Sequence, residues 1–101
     1  MPTLTPPQDC FSMQDLRAQI DQLDRQLIDM LVTRASYIDR ATELKPEEGL
    51  PARIPDRVEE VVQRVRASSD ALGMDPDLAE KLWRILIDWS IAREERVLGP
   101  E

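Results

Sequence analysis

Histidine is absent from the 101-residue chain. Imidazole acid–base catalysis and the commonest transition-metal ligand go with it, so neither a metal site nor a cofactor is expected. A single cysteine, Cys10, excludes an intrachain disulfide framework. Glycines number only three, and no apolar run approaches the length of a membrane span. Aromatic side chains are reduced to two tryptophans, one tyrosine and one phenylalanine. Basic residues are outnumbered 13 to 20, which leaves a net charge of −7. That balance argues against nucleic acid or an anionic membrane as the main partner. A small anionic ligand stays open, because a buried local cluster of cations opposes the global sign. The opening "MPTLTPPQDC" lacks the basic and apolar regions of a signal peptide. A reduced, cytoplasmic protein is the expectation.

What remains is helix-forming sequence. Apolar residues make up 42% and charged residues 33%, and the valines and isoleucines are spaced for helices rather than alternating as in strands. The length suggests one small domain over residues 1–101 with a thin core of its own. "MPTLTPPQDCF", residues 1–11, is a proline-bearing arm. Ser12 then caps a first helix, with Asp15 as a weak capping-box partner suited to the positive end of the helix dipole. The apolar pattern runs unbroken to Leu44, and Pro46 ends it. This helix would hold about 33 residues and span roughly 50 Å. Residues 46–54 form a loop punctuated by Pro46, Gly49 and Pro51. A second helix is expected from Pro55 to Leu72, with Val58, Val61, Val62, Val65 and Leu72 facing inward and Gly73 as its stop. "DPDL" starts a third: Asp75 is the N-cap, Pro76 takes the first helical position, and the helix runs to Leu98, before Gly99 and Pro100.

Two features predict an intertwined, all-helical homodimer. A globule of this size has a radius of gyration near 13 Å, so a helix of roughly 50 Å must protrude, and a symmetric partner is the cheapest cover for its apolar stripe. The third helix carries two stripes, Leu78, Leu82, Ile85, Leu86 and Trp89 on one side and Trp83, Ile87, Ile91 and Leu98 on the other. A helix apolar on two sides is buried on two sides.

Some charges sit on these stripes. Leu16, Ile20, Leu23, Leu27, Leu31, Ile38 and Ala41 share one face of the first helix, and Arg34 and Lys45 fall on the same face, about 20° apart. Snorkelling explains a single such cation, but two on one stripe point toward a common occupant. Arg17 lies about 100° around from Arg34 and roughly 25 Å along the axis. It reaches a pocket of the other chain across an antiparallel partner helix, or else pairs with Asp21 or Asp24. Glu94, on the stripe of Trp83, Ile87 and Ser90, is either an acid facing a pocket or the partner of Arg93, Arg96 or a loop cation. Arg57 opens the second helix, where a cation is out of place, unless it pairs with Glu60 or Asp56. Together these residues describe a cationic pocket with one acid, suited to a small dicarboxylate held by arginine forks. No nucleophile with a base beside it and no phosphate loop is present, so the chemistry left is electrostatics and positioning.

"DLRAQIDQLDRQLIDMLVTRASYI" resembles the first helix of the all-helical chorismate mutase family, and the resemblance continues through "PARIPDRVEEVV" and "LWRILIDWSIAREE". "PQDC" followed by "DLRAQID" looks most like the branch that includes isochorismate pyruvate lyases. The resemblance implies an intertwined dimer with two active sites. Arg17 would be the arginine lent to the partner's site, Arg34 the in-chain arginine for a substrate carboxylate, and Lys45 the contact to the ether oxygen and a carboxylate. Arg57, Ser90 and Glu94 match further pocket positions, the last being glutamine in many members and glutamate in some. Val58 stands where the commonest bacterial mutases have a glutamate for the ring hydroxyl, and Ile54 where an aspartate is usual. The lyase branch also lacks these acids. Pro46, directly after Lys45, is a further departure. The implied activity is conversion of chorismate to prephenate. The alternative is isochorismate pyruvate lyase, giving salicylate and pyruvate. A third reading, from another class, is a non-enzymatic dimeric helical binding or regulatory module.

Overall fold

The computed structural model describes residues 3–99; Met1 and Pro2 of the arm, and Pro100 beyond the last helix, lie outside the described residues. The architecture is all-helical: α1 (Met13–Leu44), α2 (Pro55–Leu72) and α3 (Pro76–Leu98), preceded by a short 3₁₀ turn at Pro7–Asp9. No helix among the described residues is long and apolar enough to cross a membrane. The chain divides into two compact units, one up to Ser36 and one from Tyr37 onward.

In the first unit, Ser12 starts α1 as its sequence suggests. Its Oγ accepts from Asp15 N at 3.0 Å and its carbonyl from Leu16 N at 3.0 Å. The arm folds back on the first turns of the helix, where Thr5 N donates to Gln19 Oε1 at 2.8 Å. Leu4, Pro6, Cys10, Leu16, Ile20 and Leu23 line a cavity of about 200 Å³ there. Beyond it Leu27 and Leu31 of the stripe, and apolar side chains on other sides of the helix, are bare. No residue of α1 is buried, and Leu27, Ile28 and Val32 are 51%, 60% and 64% exposed.

The second unit is built on α2 and α3. Val62 and Ala79 are fully buried, and Ile87 and Ile91 nearly so, with Val58, Val61, Trp83 and Leu98 packed around them. Burying each of the valine and isoleucine side chains stabilises the fold by about 1.5–3 kcal/mol. Gly73 stops α2 at φ 85°, and its left-handed turn lets Met74 N reach Ser69 O at 2.7 Å. Asp75 Oδ1 then caps α3 by accepting from Asp77 N at 2.9 Å. A ladder of surface ion pairs fixes the register of the two helices. Arg66 reaches Asp77 and Glu80 at 3.0 and 2.9 Å, and Arg84 reaches Glu80 and Glu59 at 2.7 and 3.2 Å.

Leu72 does not face inward but is 86% exposed. It continues the stripe of Val65, yet the turn at Gly73 brings α3 back beside Ser69, which is buried with Ala79. The last turn of α2 therefore outruns the helix it packs on. α3 is buried on one side only. Ile87 and Ile91 face α2, while Leu82, Ile85 and Trp89 remain open to solvent.

Candidate active site

The carboxyl end of α1, the 46–54 loop and the last turns of α3 meet at Lys45. Pro46 ends the helix, but Lys45 N still donates to Ala41 O at 2.9 Å, so the residue keeps its helical direction for one step past Leu44. The chain then doubles back. Leu50 N donates to Lys45 O at 2.9 Å, and Gly49 takes a φ of 69°, left-handed backbone that favours glycine.

Lys45 Nζ stands 2.6 Å from Glu94 Oε1 and donates to Ala52 O at 2.7 Å. Glu94 is buried to 4% exposure on the same α3 face as Ile87, Ser90 and Ile91. Glu94 Oε1 is buried, and the Lys45 ammonium is the charge set against it. An ion pair removed from water keeps its charges only while both partners stay; deleting one costs about 3–5 kcal/mol. One turn before Glu94, Ser90 Oγ is buried and donates to Leu86 O at 2.7 Å.

A second contact docks α1 on α3. Arg93 grips Asp39 through both carboxylate oxygens, at 2.6 and 2.9 Å, and lies 5.3 Å from the Trp89 ring centroid. Asp39 and Lys45 are six positions apart, and Arg93 and Glu94 are adjacent, so the two polar contacts together set this part of α1 against α3. The Arg93 guanidinium holds the Asp39 carboxyl below its usual range. A depressed carboxyl contributes stability above its unfolded value of about 3.9 and loses it as pH falls through the folded value. The gap in melting temperature between wild type and Asp39→Asn should therefore be steady from neutral pH to about pH 5 and narrow below about pH 4. Thermal melts across that range check this; a gap undiminished at acid pH counts against the clasp.

The structure thus brings Lys45, Glu94 and Ser90 to one face. The partner of Glu94 is Lys45, from the stripe of the first helix, rather than Arg93, Arg96 or a cation of the loop. Arg57 is exposed at the start of α2, where its guanidinium donates to Glu60 of the same helix. Arg17 and Arg34 belong to the first unit. Arg17 is exposed, whereas Arg34 is half-buried, and that burial pulls its guanidinium below the ordinary value. Asp39 and the Ala52 carbonyl join the site through the structure alone. Nothing in one sequence marks either, because the first acts across 54 positions and the second is a backbone atom.

The end of α1 and the last turns of α3 thus present one ammonium–carboxylate pair within a three-helix fold. The family described as chorismate mutase type II matches residues 16–95, and the chain belongs to it. Over 90 residues it is 35% identical to a T-protein of Enterobacter agglomerans, covering 85% of this chain and 24% of that protein. It is 30% identical to an isochorismate pyruvate lyase of Pseudomonas aeruginosa, covering 87% of this chain and 86% of that protein. To a chorismate mutase of Methanocaldococcus jannaschii it is 25% identical, over 83% and 85% of the two chains. It spans about a quarter of the length of the T-protein.

Proposed function

We propose that residues 1–101 act as one catalytic module, a chorismate mutase, working as a homodimer with sites shared between chains. The observation that carries this reading is the buried Lys45–Glu94 pair, 2.6 Å apart, in a chain of this family. Chorismate holds an enolpyruvyl ether on a cyclohexadiene ring. In the rearrangement the ether C–O bond breaks as a C–C bond forms, with no proton transferred and no covalent intermediate. Negative charge grows on the departing oxygen, and donors aimed there lower the barrier. Lys45 has three N–H donors; Ala52 O takes one and Glu94 lies against another, which leaves one for the ether oxygen. Glu94 adds a second donor only when protonated. Arg34 and the partner's arginine at position 17 would clamp the two substrate carboxylates and select the compact reactive conformer. The dimer reading draws on the bare apolar stripe of α1 and on Leu82, Ile85 and Trp89 of α3. A cytoplasmic location fits the same reading.

Isochorismate pyruvate lyase is the second reading, favoured by apolar Ile54 and Val58 at positions of the missing acids and by the Pseudomonas aeruginosa relative. The same C–O bond would break. Pyruvate's methyl needs one hydrogen more than the enolpyruvyl methylene and salicylate one fewer than the ring, so a ring hydrogen must cross. Lys45 would serve the same oxygen. The test is turnover of chorismate and isochorismate by the purified protein, measured side by side. Prephenate formation at the higher kcat/KM is expected. Preferential release of salicylate would move the assignment to the lyase, and turnover of neither would leave a non-enzymatic module.

A further inference from the structure

A lysine ammonium is a point charge on a flexible stem, and its direction is set only by what it binds. Two elements hold Lys45: α3 through Glu94, and the 46–54 loop through the carbonyl of Ala52. Ala52 is the one buried residue of that loop, at 4% exposure, and its methyl group joins Val62, Ile87 and Ile91 in the core. Ile87, Ile91 and Glu94 follow one another at helical spacing on one face of α3. The methyl of Ala52 is thus seated on the same face that presents the carboxylate. Lys45 in turn ties the loop at two points, its own carbonyl accepting from Leu50 N while its ammonium donates to Ala52 O.

We propose that Ala52 is a positioning residue for Lys45: its buried methyl sets the loop on α3, and its carbonyl fixes the direction of the ammonium, aiming the remaining N–H at the substrate. This rests on the reading of Lys45 as the donor to the breaking ether bond. Ordering the lysine before substrate arrives means that the reaction does not have to order it. The side chain at position 52 stays small because the carbonyl must come within hydrogen-bond reach of Nζ while the methyl fills the core.

The experiment replaces the Ala52–Arg53 peptide bond by an ester. The carbonyl stays and every side chain stays; the acceptor strength of that oxygen falls, and Arg53 gives up its backbone N–H. The first readout is proton exchange of the ¹⁵N-labelled Lys45 ammonium in the ligand-free protein; the second is steady-state kinetics. Exchange should be several-fold faster in the ester, with kcat lower by about tenfold and KM within about twofold. Ala52→Gly, which keeps the carbonyl but frees the loop, should shift both readouts in the same direction. Unchanged exchange in the ester would overturn the hold by Ala52. Faster exchange with unchanged kcat would overturn its part in positioning. Wild-type protein that turns over neither substrate would sink the reading of Lys45, and ammonium exchange alone would then decide whether Ala52 holds it.

Discussion

Lys45→Met lowers kcat by about 10²–10³, or roughly 3–4 kcal/mol of barrier, as expected for loss of one donor to a developing oxyanion. The methionine keeps the length of the stem and removes the charge. It also leaves Glu94 buried without its cation, and a stranded buried charge destabilises by about 3–5 kcal/mol unless it takes up a proton. The single variant should therefore lose both rate and stability. Glu94→Gln on its own should keep activity at neutral pH, since an amide donates at any ordinary pH. Lys45→Met combined with Glu94→Gln should then regain most of the lost stability while the rate stays low. Steady-state kinetics with thermal melts on the three variants separate the two effects. Near-wild-type turnover by Lys45→Met would mean that the lysine is only a structural counter-ion for Glu94.

Arg17→Ala and Arg34→Ala should each abolish most activity, and mixing them should bring part of it back. If a site takes Arg34 from one chain and the arginine at position 17 from the other, a mixed dimer holds one intact site and one doubly defective site. Random exchange of equal amounts makes about half the dimers mixed, so about a quarter of all sites recover. The measurement is activity against time after mixing, with heterodimer formation followed by native mass spectrometry. Absence of recovery despite heterodimers would refute the shared site. Bare Leu27, Ile28 and Val32 on α1 and Trp89 on α3 are the surfaces on which the exchange should depend.

The helix boundaries were legible in the sequence because each is punctuated locally. Ser12, Pro46, Gly73 and Asp75 cap, stop or turn the backbone through local geometry and bonds that span five residues or fewer, and the structure ends each helix where those residues stand. The placement of Glu94 on the buried stripe of α3 was legible too, because helical periodicity alone puts it above Ser90 and Ile87. All-helical class, and a mutase-type motif spread over nearly the whole chain, followed from the same local patterns and from residue identity.

Which charges meet was decided by tertiary structure alone. Sequence left Glu94 with Arg93, Arg96 or a loop cation as partners, and the packing of α1's last turns on α3 instead gives it Lys45 and gives Arg93 to Asp39. Arg57 was equally free to pair with either of two acids, and the geometry of its helix gives it Glu60. The Ala52 carbonyl belongs to no side-chain pattern, since every residue carries one, and its direction follows from the loop's turn and the burial of a methyl group. Leu72 shows the opposite limit: its periodicity is that of a core residue, but a stripe is buried only as far as a neighbouring element reaches. The sequence by itself determined where helices start and stop and which faces are apolar, because those are local properties of backbone and side chain. The tertiary structure decided the partners of each charge, because an ion pair forms between atoms brought together from distant parts of the chain.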